Sequence, residues 1–479
     1  MLGKLLFNDD FLVKTPDDRF KLTPSVFDRD AFRAAIEGSA NSEVWRDHRI
    51  SMAYRFFDRT IKEWAVAERS EEDRRRRFEV LSTVLWKLLV VVAIDLDERD
   101  NAQIIFETLN ARGTPLLAAD LIKNHLFQRA VAQGEGIDEL YAQHWRPLDT
   151  EWWRKDVISG RLKRPRLDIF MNHWLAMKLG REVVSHQLFP EFKRYVGGLT
   201  DSVAALLHEI AEYAKVYESF EREPDGTPVE RFLYRVNTIE VTTAYPTLLW
   251  MYGPFGITDE AERLRASLVI ESWLARRVIT RGNTQGYTQV FLSLINRLRE
   301  SPRASARDVA EYFRGLVGER SYWPTDTQVR EALVNTPLYT TLLRGRLRMI
   351  LEAIEDHLRS AYTEDQRVPR NLTIEHVMPQ EWRTNWWPSA GMEPAAEAAR
   401  STLIHTIGNL TLVTSRLNPK MSNDGWSGKR SALRQFSLLR MSTGLREADL
   451  WDEGAIQARS KELADIAVRV WPGPDANWA

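Results

Sequence analysis

Residues 371–382 read NLTIEHVMPQEW, and their reading decides the architecture of the C-terminal part of the chain. Everything before them has the spacing of one amphipathic helix after another. Here a short Thr/Ile run, too short and too β-branched for a helix, delivers Glu375 and His376 side by side, with a proline three residues beyond the histidine. Downstream lies HTIGNLTLVTSRLNPKMSNDGWSGKR, residues 405–430. Gly408 predicts a turn, LTLV a second short strand, and Asn418 falls nine residues after Asn409, at the head of a closing helix capped by Thr414 or Ser415. Strand, loop, strand, helix is a ββα order in which four polar side chains can converge.

Those residue types suit one chemistry. Cutting a phosphodiester needs a base to activate water and a cation to polarise the phosphate. A neutral imidazole, with an ordinary pKa of about 6.5, suits the base. One carboxylate, one amide oxygen and several waters suit Mg²⁺ or Mn²⁺. An asparagine on the second strand can hold the histidine in orientation. Glu-His alone is more often structural; the joint order ending in LNPK is what carries the signal. His405 competes for the base but has no adjacent acid, and reads as packing or a DNA contact. Between Thr414 and Arg440 stand six cations (Arg416, Lys420, Lys429, Arg430, Arg434, Arg440) against Asp424 alone, as a polyanionic substrate requires.

The rest of the composition sets bounds. At 479 residues the chain is long enough for two or three domains. A net charge of −1 makes no global case for nucleic acid, so only local patches can. Zero cysteines exclude disulfides and thiolate metal sites and fit a reducing, cytoplasmic setting. The longest apolar run, Leu88 to Ile94, falls far short of the roughly 20 residues of a membrane span, and MLGKLLFNDDF is a poor signal peptide. There is no GxxxxGK[ST] and no strand followed by GxGxxG. LLVVVAIDL, 88–96, predicts a buried strand, and EEDRRRRFEV a solvated helical face.

The C-terminal pattern resembles the HNH (ββα-metal) nucleases, especially the C-terminal domain of GmrSD-type modification-dependent restriction enzymes, and also the HNH domain of RNA-guided CRISPR effectors. The resemblance implies Glu375 as a metal ligand, His376 as the general base, Asn409 orienting the histidine and Asn418 as second metal ligand. Lys429 matches the family's trailing lysine, implying phosphate contact together with Arg416 and Lys420. Asn418 stands where many members have a final histidine, which leaves the choice of metal open.

IIFETLNARGTPLLAADLIKNHLF, 104–127, resembles the closing motif of the ParB-like N-terminal domain of the same enzymes, through Phe106, Asn110, Gly113, Leu117, Asp120 and Lys123. Read without the resemblance, Asn110 and Gly113 build a turn, and Asp120 and Lys123 a surface pair. The family's DGQQR signature does not occur in the sequence, so the N-terminal domain is expected to be truncated or completed by an upstream partner chain carrying the NTP-binding module. In the helical middle, EWWRKDVISGRLKRPR (151–166) interleaves Trp152 and Trp153 with six cations, and Arg276, Arg277 and Arg281 close a long helix. Each group suits either DNA or ordinary packing.

The expectation is a mainly α, multi-domain chain. A ParB-like remnant occupies 1–132, a helical middle 133–362, and a small ββα-metal domain 363–479. The expected function is metal-dependent cleavage of double-stranded DNA, modified phage DNA included, in prokaryotic defence, with no membrane partner. The rival readings are a non-catalytic DNA-binding or assembly subunit and an RNA-cleaving toxin.

Overall fold

A computed structural model describes residues 6–13, 16–24, 26–38, 45–66, 70–90, 117–159, 162–221, 227–359, 368–386 and 392–478. It is mainly α-helical. The chain separates into two units, residues 1–102 and 103–479.

In the first unit, α1 (Val26–Ile36) packs on α2 (Arg49–Val66). Next, α3 (Glu71–Thr83) is the solvated basic face expected of EEDRRRRFEV: it buries no residue, and the Ser70 hydroxyl caps it by accepting from the Asp73 backbone N–H at 3.2 Å. The strand expected at 88–96 does not begin where the sequence put it. Val84–Leu88 prolong the helix as a π-turn, and Leu88–Val90 are exposed; 91–96 lie outside the described residues. Leu, Trp and Lys at 85–88 extend a helix already capped and running, and local β-preference gives way to that continuation.

The second unit opens with α4 (Ala118–Ala132). A β-hairpin follows, β1 (Asp156–Ser159) antiparallel to β2 (Leu162–Pro165), where SGRLKRPR predicted only a break between helices. The middle is then a layered helical bundle: α5 (Arg166–Leu179), α6 (Val203–Phe220), α7 (Pro228–Ile239), α8 (Tyr245–Tyr252), α9 (Glu260–Ile279), α10 (Tyr287–Glu300), α11 (Ala306–Arg314), α12 (Asp326–Asn335) and α13 (Arg344–Leu358). Trp153 is core, its Nε1–H donating to Glu218 at 3.0 Å, and Trp152 carries the Arg166 guanidinium 3.8 Å from its ring centre.

Arg276 and Arg277 on α9 correct the DNA reading. Both are fully buried, Arg276 donating to the carbonyls of Trp471 and Pro324 and to Asp326, Arg277 to the carbonyls of Glu319, Tyr322 and Asn283. A guanidinium's five fixed donors make it a clamp for converging loops when enough carbonyls surround it. The Trp471 indole donates to Glu271 of α9 at 2.7 Å, so the C-terminal stretch is pinned onto the middle bundle.

The C-terminal part contains β3 (Thr373–His376) antiparallel to β4 (Leu410–Val413), with Glu375 opposite Thr411 and His376 opposite Leu410. Then come α14 (Asn418–Met421), α15 (Trp426–Phe436) and α16 (Glu453–Val470). Val377, Met378, Trp382, Leu433, Leu445, Trp451 and Ile456 form its core. Gly408 lies against α16 so closely that a β-carbon would overlap the Ile456 carbonyl and the Ser460 hydroxyl. Since the helix backbone cannot yield, Gly408→Ala should lower unfolding free energy by about 1–3 kcal/mol in urea titration; an unchanged midpoint would show the turn free to move.

Candidate catalytic site

Side chains alternate along a strand, so Glu375 and His376 leave opposite faces of β3. Three residues hold the strand end between them. Val377 N–H donates to the Asn409 carbonyl at 2.8 Å, continuing the ladder past β3. The Asn409 amide is fully engaged: Nδ2 donates to the carbonyls of Met378 (2.8 Å) and Ile404 (2.9 Å), and Oδ1 accepts from Met378 N–H (2.7 Å) and Trp451 Nε1–H (3.1 Å). Asn409 therefore positions the histidine through the main chain. All four amide bonds go to the main chain and to Trp451, and none goes to the imidazole. Arg459 of α16 fixes the same turn, donating to the carbonyls of Gly408 (2.6 Å) and Leu410 (2.8 Å).

On the His376 face stands His405, the rival base of the sequence, which read there as packing or a DNA contact. His376 Nε2 is 3.2 Å from His405 Nδ1. The Tyr339 ring meets His376 edge-on at 4.2 Å and stacks on His405 at 5.7 Å, and the Arg344 guanidinium lies over that tyrosine ring. Tyr339 N–H donates to the His405 carbonyl at 3.1 Å. Burial pushes the His376 pKa down to about 3, with His405, Lys429 and Arg344 adding repulsion against the charged form. His405 is also lowered, by burial and then Arg344. Both imidazoles are neutral at ordinary pH. The sequence offered His405 as a competing base; Tyr339 gave no cue.

On the Glu375 face, Lys429 Nζ donates to Glu375 Oε1 and to the His376 carbonyl, each at 2.6 Å. Lys429 is fully buried, which corrects the phosphate-contact expectation: its ammonium faces inward, bracing the strand end. Burial raises the Glu375 pKa against the pull of Lys429, and lowers that of Lys429 against the pull of Glu375. Asn418 Nδ2 donates to Thr373 Oγ1 (3.1 Å) and the Ile374 carbonyl (3.3 Å), so the first residue of α14 is tied to the strand on its Thr373–Glu375 side.

Of the other cations, Arg416 and Lys420 are exposed. Arg430 and Arg434 donate to the Arg446 carbonyl instead of facing solvent alone. Further upstream, Asp120 and Lys123 do not form a simple surface pair. Lys123 Nζ reaches Asp120 (3.7 Å) and Asp149 (3.3 Å), and Arg154 joins both carboxylates. Phe106, Asn110 and Gly113 lie outside the described residues.

Among the described residues no three His, Asp or Glu side chains gather around one point. The residues expected to hold a cation would present the Glu375 carboxylate, with Lys429 on one of its oxygens, and the Asn418 amide oxygen. That donor set fits Mg²⁺ or Mn²⁺, which take one or two protein oxygens and keep waters and phosphate oxygens for the remainder. It does not fit a structural zinc, which needs four nitrogen or sulfur donors.

Two family models match the chain: residues 4–127 match the N-terminal domain of the GmrSD restriction endonucleases, and residues 323–466 match their C-terminal domain. Together they span more than half of the sequence, and the second contains every residue of the site just described. No curated protein matches the chain significantly. No helix among the described residues is long and apolar enough to cross a membrane.

Proposed function

The chain belongs to the GmrSD restriction endonuclease family, and from that premise we propose that it hydrolyses DNA phosphodiesters with an HNH-type, ββα-metal site centred on His376. The observation that carries this reading is the paired-strand end itself: a neutral imidazole and a carboxylate leave opposite faces of β3, with Asn409 clamping the next turn of chain and Asn418 tied to the carboxylate side. His376 takes the proton of the attacking water. Glu375 and Asn418 would hold Mg²⁺ or Mn²⁺, which when bound supplies charge stabilisation at the scissile phosphate. Lys429 keeps Glu375 and the His376 carbonyl in register, and exposed Arg416 and Lys420 meet the DNA backbone.

The setting that suits such an enzyme is the cytoplasm, against incoming phage DNA, modified DNA included. The test is nicking of supercoiled plasmid with Mg²⁺ or Mn²⁺, beside an RNA substrate. Cutting that persists in a chelator sinks the metal assignment, and cutting confined to RNA sinks the DNA one.

His405 is the positioning residue of this mechanism, since its bond to Nε2 fixes which imidazole nitrogen is left to face water. His405→Ala should lower kcat by about 10–100-fold with KM little changed, whereas His405→Asn, which keeps a hydrogen-bonding group, should recover most of the loss. Equal activity of both variants and wild type would leave His405 a packing residue.

A further inference from the structure

A cleft of about 1020 Å³ lies in the middle bundle, walled by residues between Lys178 and Arg307, a stretch that falls between the two family-matched segments. Its lining is unlike the chain as a whole. Five Lys/Arg side chains face two acids, Asp259 and Glu262, in a protein whose net charge is −1. Four aromatic residues share the lining, Trp250 and Tyr213 buried in its wall and Phe255 standing 68% exposed on the loop between α8 and α9.

Lys178 and Arg307 pair with acids outside the lining, Glu209 and Glu311, each at 2.8 Å. Arg265 pairs with Glu262, whose other oxygen accepts from the Ala306 N–H at the start of α11, so one carboxylate already sits on a helix N-terminus there. Arg299, by contrast, places its donors on the Lys178 and Met177 carbonyls, which hold the side chain still without cancelling its charge. Lys178 Nζ, held by its ion pair with Glu209, lies 5.9 Å from the Phe255 ring centre. Arg303 is exposed at the rim.

We propose that this cleft binds single-stranded DNA, an unpaired base stacking on Phe255 with the adjoining phosphates against Arg299 and Arg303. A duplex hides its base faces in its own stack. A solvent-facing aromatic beside fixed cations suits a strand whose bases are free, and aromatic stacking with backbone charge is how single strands are held without sequence readout. The choice of DNA over RNA rests on the nuclease reading; the cleft's chemistry does not.

The test is fluorescence anisotropy with the full chain carrying His376→Ala, in a chelator, on labelled single-stranded DNA, the same sequence as a duplex, and as RNA. Phe255→Ala should weaken single-strand binding by about 5- to 100-fold and duplex binding little. Arg303→Glu should weaken it as well and flatten the dependence of log affinity on log salt by about one unit. Arg297→Glu, exposed on α10 but outside the cleft, controls for charge alone. Melting temperatures report whether the surface variants remain folded. The proposal is overturned if the parent does not bind single strands, if Phe255→Ala binds them like the parent, if Arg297→Glu weakens binding as much as Arg303→Glu, or if RNA is preferred. None of these outcomes bears on plasmid cutting by the wild type, which judges the nuclease reading separately.

Discussion

His376→Ala is expected to reduce divalent-dependent plasmid nicking by about 10²–10⁴-fold, the range over which a positioned general base contributes. The loss should fall on kcat, because the imidazole is nearly enclosed and cannot be a principal DNA anchor. His376→Gln or His376→Asn should not restore the rate, since an amide cannot take a proton at neutral pH. The folded protein keeps this histidine neutral down to about pH 3, whereas the unfolded chain protonates near pH 6.5. Protons thus bind the unfolded state first as the pH falls below about 6.5, and stability declines over that interval. His376→Ala should remove its share of the decline, a change visible in urea midpoints at pH 7 and pH 5. Wild-type nicking by the alanine protein would end the assignment of the base.

The second large effect is at Lys429. Its ammonium is fully buried, and its bonds go to a buried carboxylate and a main-chain carbonyl. Lys429→Met fills the space but leaves Glu375 without its counter-charge, a change that costs about 3–5 kcal/mol when a buried ion pair is broken from one side. The carboxyl then has reason to take up a proton, which also spoils it as a metal ligand. Removing both charges, Lys429→Met with Glu375→Gln, should return much of the stability while cleavage stays lost, because the carboxylate is gone. If Lys429→Met unfolds at the wild-type urea midpoint, the pair is not the brace described. If the single variant retains full nicking, Glu375 does not work as a charged ligand. A lysine that only touched phosphate would give the opposite pattern, weaker DNA binding at unchanged stability.

The parts of the site legible in the sequence were those fixed by local signals. Glu375–His376 ended a β-branched run and Gly408 marked a turn, and the two paired strands appear where those signals put them; Asn409 lies in the turn just before β4, and the helix at Asn418 is a single turn, Asn418–Met421, with Leu417 at its N-cap where Thr414 or Ser415 was expected. The direction of a long side chain was not legible. Lys429 and Arg430 are adjacent in a basic stretch, yet one is sealed against Glu375 and the other lies against the Arg446 carbonyl, a choice made by which face of α15 meets the strands. Arg276 and Arg277 show the same limit: a cation at a helix end reads as solvent-facing until several carbonyls from distant loops enclose it. The contacts of His405 and Tyr339 with His376 were illegible for a different reason. Their meeting with His376 joins stretches 66 residues apart and rests on ring packing, which leaves no spacing in the sequence to find.

The hold of α16 on the Gly408–Leu410 turn carries a consequence for the timing of activity during synthesis. A ribosome that has reached residue 450 has already made Glu375, His376, His405, Asn409, Asn418 and Lys429, yet not the helix whose Arg459 and Ser460 secure that turn. A chain halted there, by a nonsense codon or a broken message, would own all the reactive side chains without the framework that arms them. The proposed cleavage activity is therefore expected to arise only once α16 has been made and docked.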